Sequence, residues 1–546
     1  MTGLTVFRNG HVFDGLRYRP GHALLVRGDR VEALLPERDL THVSGLGRHA
    51  DVDLGGRLVA PGFVDAHVHA VQGGLERIRC DLSGLSTRAE YLGAIAAYAA
   101  AHPELPWILG GGWSMSAFPG GTPAAVDLDA IVPDRPVFLP NRDHHGAWVN
   151  SRALEIAGVG AHTPDPTDGY FERDADGRPT GTAHEGAMAV VVRHAPATDP
   201  EEYYRAFLAG QEHLLSLGVT GWQDAILGDY AGIDDPSATY LRAAMNGDLI
   251  ATVVGALWWD RGRGVEQVPD LVKRRETYTH GRLRATSVKV MQDGVAENGT
   301  AALESPYLDR CGHPTENRGH SFVDAEALKA CVTALAAAGF QVHVHAIGDR
   351  GVREALDAFE RAHGVGGDLR HHIAHLQIID PADVPRFADL GVTANMQALW
   401  ACLDDQMIEL TLPFIGEERA TWQYPFGALH RAGAALAAGS DWPVSTPDPF
   451  AGLHVAVNRT GYGEEGRAGS EPFLPEQALD LATAFAAYTS GSARVCHRDD
   501  AGVLAAGAAA DLVVLDRDPF DAPVEEIGAT LIDQTWVDGQ RVYARP

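Results

Sequence analysis

Two histidines one residue apart, His67 and His69, close the apolar run Leu58-Val-Ala-Pro-Gly-Phe-Val-Asp-Ala66. On a β-strand, residues i and i+2 point the same way, so both imidazoles project from one face at the strand's C-terminal end. That is how a single strand presents two nitrogen ligands to one metal ion. An isolated His-x-His is equally the mark of two ordinary surface or core histidines. The downstream series changes the weight of the evidence: Lys289, His345, His375 and Asp441 each close a short β-branched or apolar run. Five candidate strands ending in metal-compatible side chains describe a metal centre.

Lys289 stands inside Ser287-Val-Lys-Val290, where a lysine flanked by valines faces an interior. A buried ammonium is costly without a partner. It either snorkels to the mouth of the fold or has a lowered pKa and carries a carbamate whose two oxygens bridge two metals. Gln341-Val-His-Val-His345 offers two histidines on one face. His345, nearer the end, is preferred as ligand and His343 as a packing or supporting residue, with the reverse order as the alternative. Asp349 suits a cap for the helix that follows. In Arg370-His-His-Ile-Ala-His375, His375 ends the strand, His371 shares its face, and His372 is expected to point outward against helices. Asp441, in Gly439-Ser-Asp-Trp-Pro, is either a turn aspartate or a metal ligand and general base that takes a proton from water and hands it to a leaving amine.

Eight strand-like runs can carry these groups: Val59–His69, Gly218–Asp224, Ala251–Trp258, Thr286–Gln292, Gln341–His345, His372–Gln377, Val392–Gln397 and Ala434–Asp441. Alanine-rich helical patterns such as Asp324–Ala338, Val352–His363 and Pro381–Leu390 intervene. Eight β/α repeats predict an α/β fold, a (β/α)8 barrel of the TIM type with function at the strands' C-terminal ends. A doubly wound sheet is the alternative, but no G-x-G-x-x-G turn follows the first strand. About 145 residues separate the first two runs, far too many for a βα loop, so a subdomain inserted at about 71–215 is expected. Residues 1–57 and 496–546 both read as short strands with turns, including an Asp538-Gly539 hairpin. Neither end can bury a good core alone, which predicts one small β-sandwich built from both termini, around a hydrolase barrel at 58–495.

Composition narrows the partners. The chain has 546 residues, 45% apolar and 21% charged, with a net charge of −29 from 44 basic and 73 acidic side chains. Such a field disfavours nucleic acid and anionic membranes. Five scattered cysteines without a CxxC pair argue against disulfides and thiolate zinc sites. No basic, apolar leader opens the chain, and no apolar window is long enough to span a bilayer. The expectation is a cytoplasmic protein acting on a small molecule, with a homodimer as the commonest assembly for such barrels.

His-x-His followed by Lys, His, His and Asp on successive strands resembles the amidohydrolase superfamily. Ala60-Pro-Gly-Phe-Val-Asp-Ala-His-Val-His69 looks like its first-strand signature, and Ala509-Ala-Asp-Leu-Val-Val-Leu-Asp516 like its closing strand. Gly111-Gly-Trp113, His145–Leu154, Gly177–Gly181, Val342–Asp349 and Gly439–Val444 are similar to the YtcJ-type branch, amidohydrolase family 3. The resemblance covers essentially the whole chain. It implies that His67, His69, Lys289, His345, His375 and Asp441 occupy metal-centre positions, and it points to relatives such as N-substituted formamide deformylases. The implied site has one metal on His67, His69 and Asp441, another on His345 and His375, and carbamylated Lys289 between them. Zinc, two per chain, is favoured by imidazole and carboxylate ligation, with iron or manganese as alternatives. The implied reaction is hydrolysis of a C–N amide bond in an N-acyl or N-formyl compound by a metal-bridging hydroxide, with Asp441 as proton shuttle. Ester or lactone hydrolysis, metal-dependent decarboxylation, and a non-catalytic binding barrel are the alternatives.

His145, as oxyanion donor, and Trp442, Trp113 and Glu297 are the expected substrate contacts. Two departures from the branch bear on those contacts. Ala374 stands where a glutamate is usual and His372 where an arginine is common, while the Gly294–Ala301 loop around Glu297 has its own form.

Overall fold

The computed structural model describes residues 3–42, 49–230, 233–462 and 471–546. Eight parallel strands form one sheet in chain order: β1 (Phe63–Val68), β2 (Val219–Leu227), β3 (Thr252–Trp258), β4 (Leu283–Met291), β5 (Gln341–Ala346), β6 (His372–His375), β7 (Thr393–Met396) and β8 (Leu436–Ala438). All eight sequence runs supply a strand. The sheet curls into a nearly closed barrel whose edges meet just beyond the end of β8. There the Asp441 amide donates to the His67 carbonyl at 2.7 Å and the His69 amide to the Trp442 carbonyl at 2.8 Å. Buried Asp65 fastens the same seam, its Oδ1 accepting from the amides of His67 and Ser440, each at 3.0 Å.

Outward-facing Val288, Val290, Val342, Val344 and Ile373 join one large apolar core with the surrounding helices. Three of these are α1 (Ala70–Ile78), α2 (Pro200–Ser216) and α3 (Asp349–Arg361). The sequence context suggests Asp349 as the cap of α3, but Gly348 holds the cap position and Asp349 is the first helical residue, its carboxylate accepting from the amides of Arg350 and Glu304. The alternation of strand side chains places apolar residues outside and polar ones inside. In the lower interior, Gln223 donates to Gln341 at 2.9 Å, and Asn395 reaches the Ala66 carbonyl at 2.9 Å.

The run Val59–His69, read as one strand, is two. Leu58–Pro61 pairs with His11–Phe13 and Leu512–Leu515, and only after Gly62 does the chain enter the barrel as β1. A Cβ on Gly62 would lie 2.4 Å from Thr220 side-chain atoms, so the crossing between sheets needs a bare backbone. The six-stranded sheet holding Leu58–Pro61 mixes strands from both chain ends, and the neighbouring four-stranded sheet is N-terminal. Phe7, Val12, Leu24, Leu504 and Leu512 belong to one core between them. The Asp538-Gly539 turn has positive φ at both residues (49° and 68°), as a two-residue I′ hairpin requires. Between β1 and β2 the chain builds a further six-stranded sheet from segments spanning Cys80 to Glu185. No described helix is long and apolar enough to cross a membrane.

Gly439 tests the seam. An added Cβ would lie 2.6 Å from the His67 nitrogen and 2.7 Å from its Cβ, so Gly439→Ala must push β1 and β8 apart. We expect a loss of about 1–3 kcal/mol in urea unfolding. Gly93, whose added Cβ meets nothing within 4 Å, is the control, and Gly93→Ala is expected to be neutral or to stabilise by up to about 1 kcal/mol.

Candidate metal centre and cavity

The seam delivers Asp441 to the barrel mouth. Its Oδ1 lies 3.2 Å from His67 Nε2 and 3.1 Å from His69 Nε2, and its Oδ2 lies 3.8 Å from His375 Nδ1. One ligand atom each from His67, His375 and Asp441 falls within 4.8 Å of the others. Lys289 Nζ, on β4, is 3.5 Å from His67 Nε2. His345 packs ring to ring with His375, centroids 4.3 Å apart, while its Nε2 faces the Gly294 carbonyl at 3.3 Å. The six residues singled out in the sequence thus converge on one place, with His345 at its margin.

His343 supports rather than joins them, its Nε2 meeting His67 Nδ1 at 2.9 Å. With His67 Nδ1–H as the donor in that contact, His67 Nε2 keeps its lone pair for the centre. His372 is the surprise. It faces inward, its ring 4.2 Å from His343 and its Nδ1 3.2 Å from Asn395 Nδ2, whereas His371 faces outward and stacks on Phe359 of α3. The reason is a break in alternation: His375 has φ of 79° and Leu376 of 54°. His375 is swung inward out of register, so counting back from it assigns both neighbours to the wrong face. Asp441 also has positive φ, 57°. Non-glycine residues held there cluster where surrounding structure enforces a functional geometry.

Burial dictates the protonation states. It drives His343, His345, His372 and His375 well below the usual imidazole range, and His67 to about 3. Neutral imidazoles carry a lone pair for a metal. Burial also brings the Lys289 amine down to about 7. For Asp441 burial works the other way, but its neighbours, His67 first, prevail and hold it well below the carboxylate range. The result is one carboxylate among neutral nitrogens, and His375 Nδ1 is buried without a hydrogen-bond partner. An unpaired buried nitrogen is costly; a divalent cation would satisfy it and the carboxylate together, and the donor set fits one.

Above the centre opens a cavity of about 310 Å³ whose walls include Lys289, His145, Glu297, Trp400 and Tyr424. His145 Nδ1 meets Glu185 Oε1 at 2.8 Å, and the Thr300 hydroxyl donates to the same oxygen at 2.9 Å. Glu297 sits in the wall with Oε1 accepting from the Thr411 hydroxyl at 2.9 Å. Two expected contacts lie elsewhere. Trp442 packs on His213 and against Gly73 of α1, and Trp113 is core, its Nε1 donating to the Leu139 carbonyl with Phe118 and Trp148 around it. The sequence reading missed Glu185, Trp400 and Tyr424. Trp400 follows the Val392–Gln397 run closely enough to be sought at a strand's C-terminal end; Tyr424 carries no such signal.

The sequence profile of the amidohydrolase family matches residues 51–543. The chain is 28% identical to YtcJ of Bacillus subtilis (strain 168) over 96% of its length and 98% of that protein's. It is 27% identical to the N-substituted formamide deformylase of Arthrobacter pascens, over 96% and 95%. A metal-dependent hydrolase from Pyrococcus horikoshii OT3, described as uncharacterized, superposes with a TM-score of 0.73 at 26% identity, over 96% of this chain and 99% of that one.

The His145–Glu185 pair makes a testable demand. Burial opposes the charged ring, but Glu185 overrides it and lifts His145 to about 9, above the ordinary value near 6.5. The pair's contribution to stability is therefore fully present between the ordinary carboxylate pKa and about pH 6.5, is lost below that window as Glu185 protonates, and is lost above it as the pH rises through about 9. Glu185→Gln is expected to cost about 3–5 kcal/mol within that window and progressively less above about pH 9. Urea midpoints across that range check it; a pH-independent difference contradicts the assignment.

Proposed function

The chain belongs to the amidohydrolase family and is a metal-dependent hydrolase of the amidohydrolase superfamily; from that premise we propose that it cleaves the C–N amide bond of a small N-acyl or N-formyl compound. The observation that carries the reading is the convergence of Asp441 with His67, His69 and His375 at the floor of a cavity sized for a small molecule. The likeness to the formamide deformylase supports the amide bond over other scissile groups.

On this reading His67, His69 and Asp441 hold one zinc ion and His345 and His375 a second. Lys289, whose free-base amine could take up CO₂ as a carbamate, would offer carboxylate oxygens as further ligands, and iron and manganese are the competing ions. The ions, when bound, lower the pKa of water to about 7 and polarise the substrate carbonyl. The protein's own groups do the rest. Asp441 Oδ1 already faces His67 and His69, so Oδ2 is the oxygen that takes the proton from the attacking water and returns it to the departing nitrogen. His145, with Nδ1 committed to Glu185, presents Nε2–H to the oxygen that gains charge. We read the sheets at the two chain ends as one small β-sandwich domain beside the hydrolase barrel, the expected 1–57 and 496–546 being joined there by Leu58–Pro61, so that the barrel begins after Gly62 rather than at 58.

Two measurements test the proposal. Elemental analysis is expected to give two zinc per chain; one would remove the Lys289 bridge, and none after reconstitution would remove the enzyme. A panel of N-formyl and N-acyl amines is expected to release free amine, and Asp441→Asn to lower kcat by about 10²–10⁴-fold with metal retained. Release of an alcohol from esters, or of CO₂, with no amine from any amide would replace the amide reading with one of its rivals.

A further inference from the structure

The cavity wall contains a carboxyl group with no salt-bridge partner among the described residues. Glu297 lies on the loop after β4, and its Oε1 is fixed by Thr411. No lysine, arginine or histidine of the described residues forms a salt bridge with it, although the charge of His145 acts on it from farther off. His145 is matched by Glu185, Asp143 accepts from the His145 amide at 2.8 Å, and Arg142 reaches out to the Ser83 carbonyl at 3.2 Å. Trp400 and Tyr424 line the same cavity, and Trp400 is held by parallel stacking on His375, 7° between planes, and by its indole N–H on Ser445. Burial without an ionic partner raises the Glu297 pKa above its usual range, and a cationic guest beside it would offset that cost of ionising. Aromatic faces nearby favour the same sign of guest.

We propose that the substrate carries a cationic nitrogen besides the group that is cleaved, an ammonium or amidinium that pairs with Glu297 and lies against Trp400 and Tyr424. The proposal rests on the hydrolase reading of the cavity but not on which bond is broken. It makes Glu297 the residue that selects the substrate. It also gives a chemical class: monoacylated diamines and their amidine counterparts, in preference to acylated alkylamines or amino acids.

The test compares two compounds of equal chain length, a mono-N-acetyl diamine and an N-acetyl alkylamine, each also prepared as the corresponding acetyl ester, on the metal-loaded full-length enzyme. The cationic member is expected to win by about tenfold or more in kcat/KM, chiefly through KM, the scale of one charge-assisted hydrogen bond. In Glu297→Gln, with metal content and melting temperature matched to the wild type, that ratio is expected to fall toward one. Because the readout is a ratio, a general loss of activity does not imitate it. A neutral member cleaved equally well by the wild type, or a preference that survives in Glu297→Gln, overturns the proposal. If only the esters turn over, the amide reading fails and the charge preference is judged on the ester pair. If neither pair turns over, calorimetric titration with the diamine and the alkylamine decides: tighter diamine binding that Glu297→Gln abolishes supports the proposal, and equal binding overturns it.

Discussion

Asp441 is an ionised carboxylate almost wholly out of water, and the barrel mouth is organised around that charge. Neutral imidazoles can orient toward it but cannot balance it, because the same burial that isolates the carboxylate strips the rings of their protons. What remains is a carboxylate among imidazole lone pairs, with the Lys289 amine brought down to about 7 beside them, a donor set that suits a divalent cation. The surrounding strain follows from the same demand. Positive φ at Asp441 and His375 aims two side chains that regular strands would have pointed elsewhere. Asp65, tied to the amides of His67 and Ser440, holds the first and last strands in the register that makes the meeting possible.

The support beneath is also built from titratable groups. His67 rests on His343, His343 on His372, and His372 on Asn395, so three rings and an amide form a column down the barrel axis. Hydrogen-bond contacts join the column at its two ends, His343 to His67 and His372 to Asn395, and ring packing joins it in the middle, so the His67 ring is oriented by a partner as well as by packing. From the other side, the sheet between β1 and β2 contributes His145 and Glu185. The mouth is therefore completed by chain that the barrel topology does not require.

Much of this was legible in the sequence because the barrel obeys period-two alternation and its ligands sit where apolar runs end. All eight runs became strands, and the six metal-compatible residues met. Legibility failed where alternation fails. His371 and His372 exchanged faces because the count ran back through the positive φ at His375. The Val59–His69 run hid a change of sheet because Gly62 is as compatible with a continuous strand as with a crossing. Aromatic residues were the least readable: Trp113 and Trp442 are packing, while Trp400 and Tyr424 form the wall, and nothing local distinguishes a tryptophan bound for a core from one bound for a cavity. Glu297 stood out only because its loop departs from the expected form.

The strand that leads into His67 and His69 has one more property. Leu58–Pro61 lies between His11–Phe13, made early, and Leu512–Leu515, made near the end of the chain. On the ribosome, the segment carrying the first two histidines thus waits for some four hundred and fifty residues of synthesis before its other neighbour exists. Asp441 and the seam it closes also arrive late. The centre therefore cannot close before Asp441 is made, and the strand that leads into its first two histidines gains its second neighbour some seventy residues later still. A divalent cation, which this donor set fits, would therefore find its full set of ligands only once most of the chain exists.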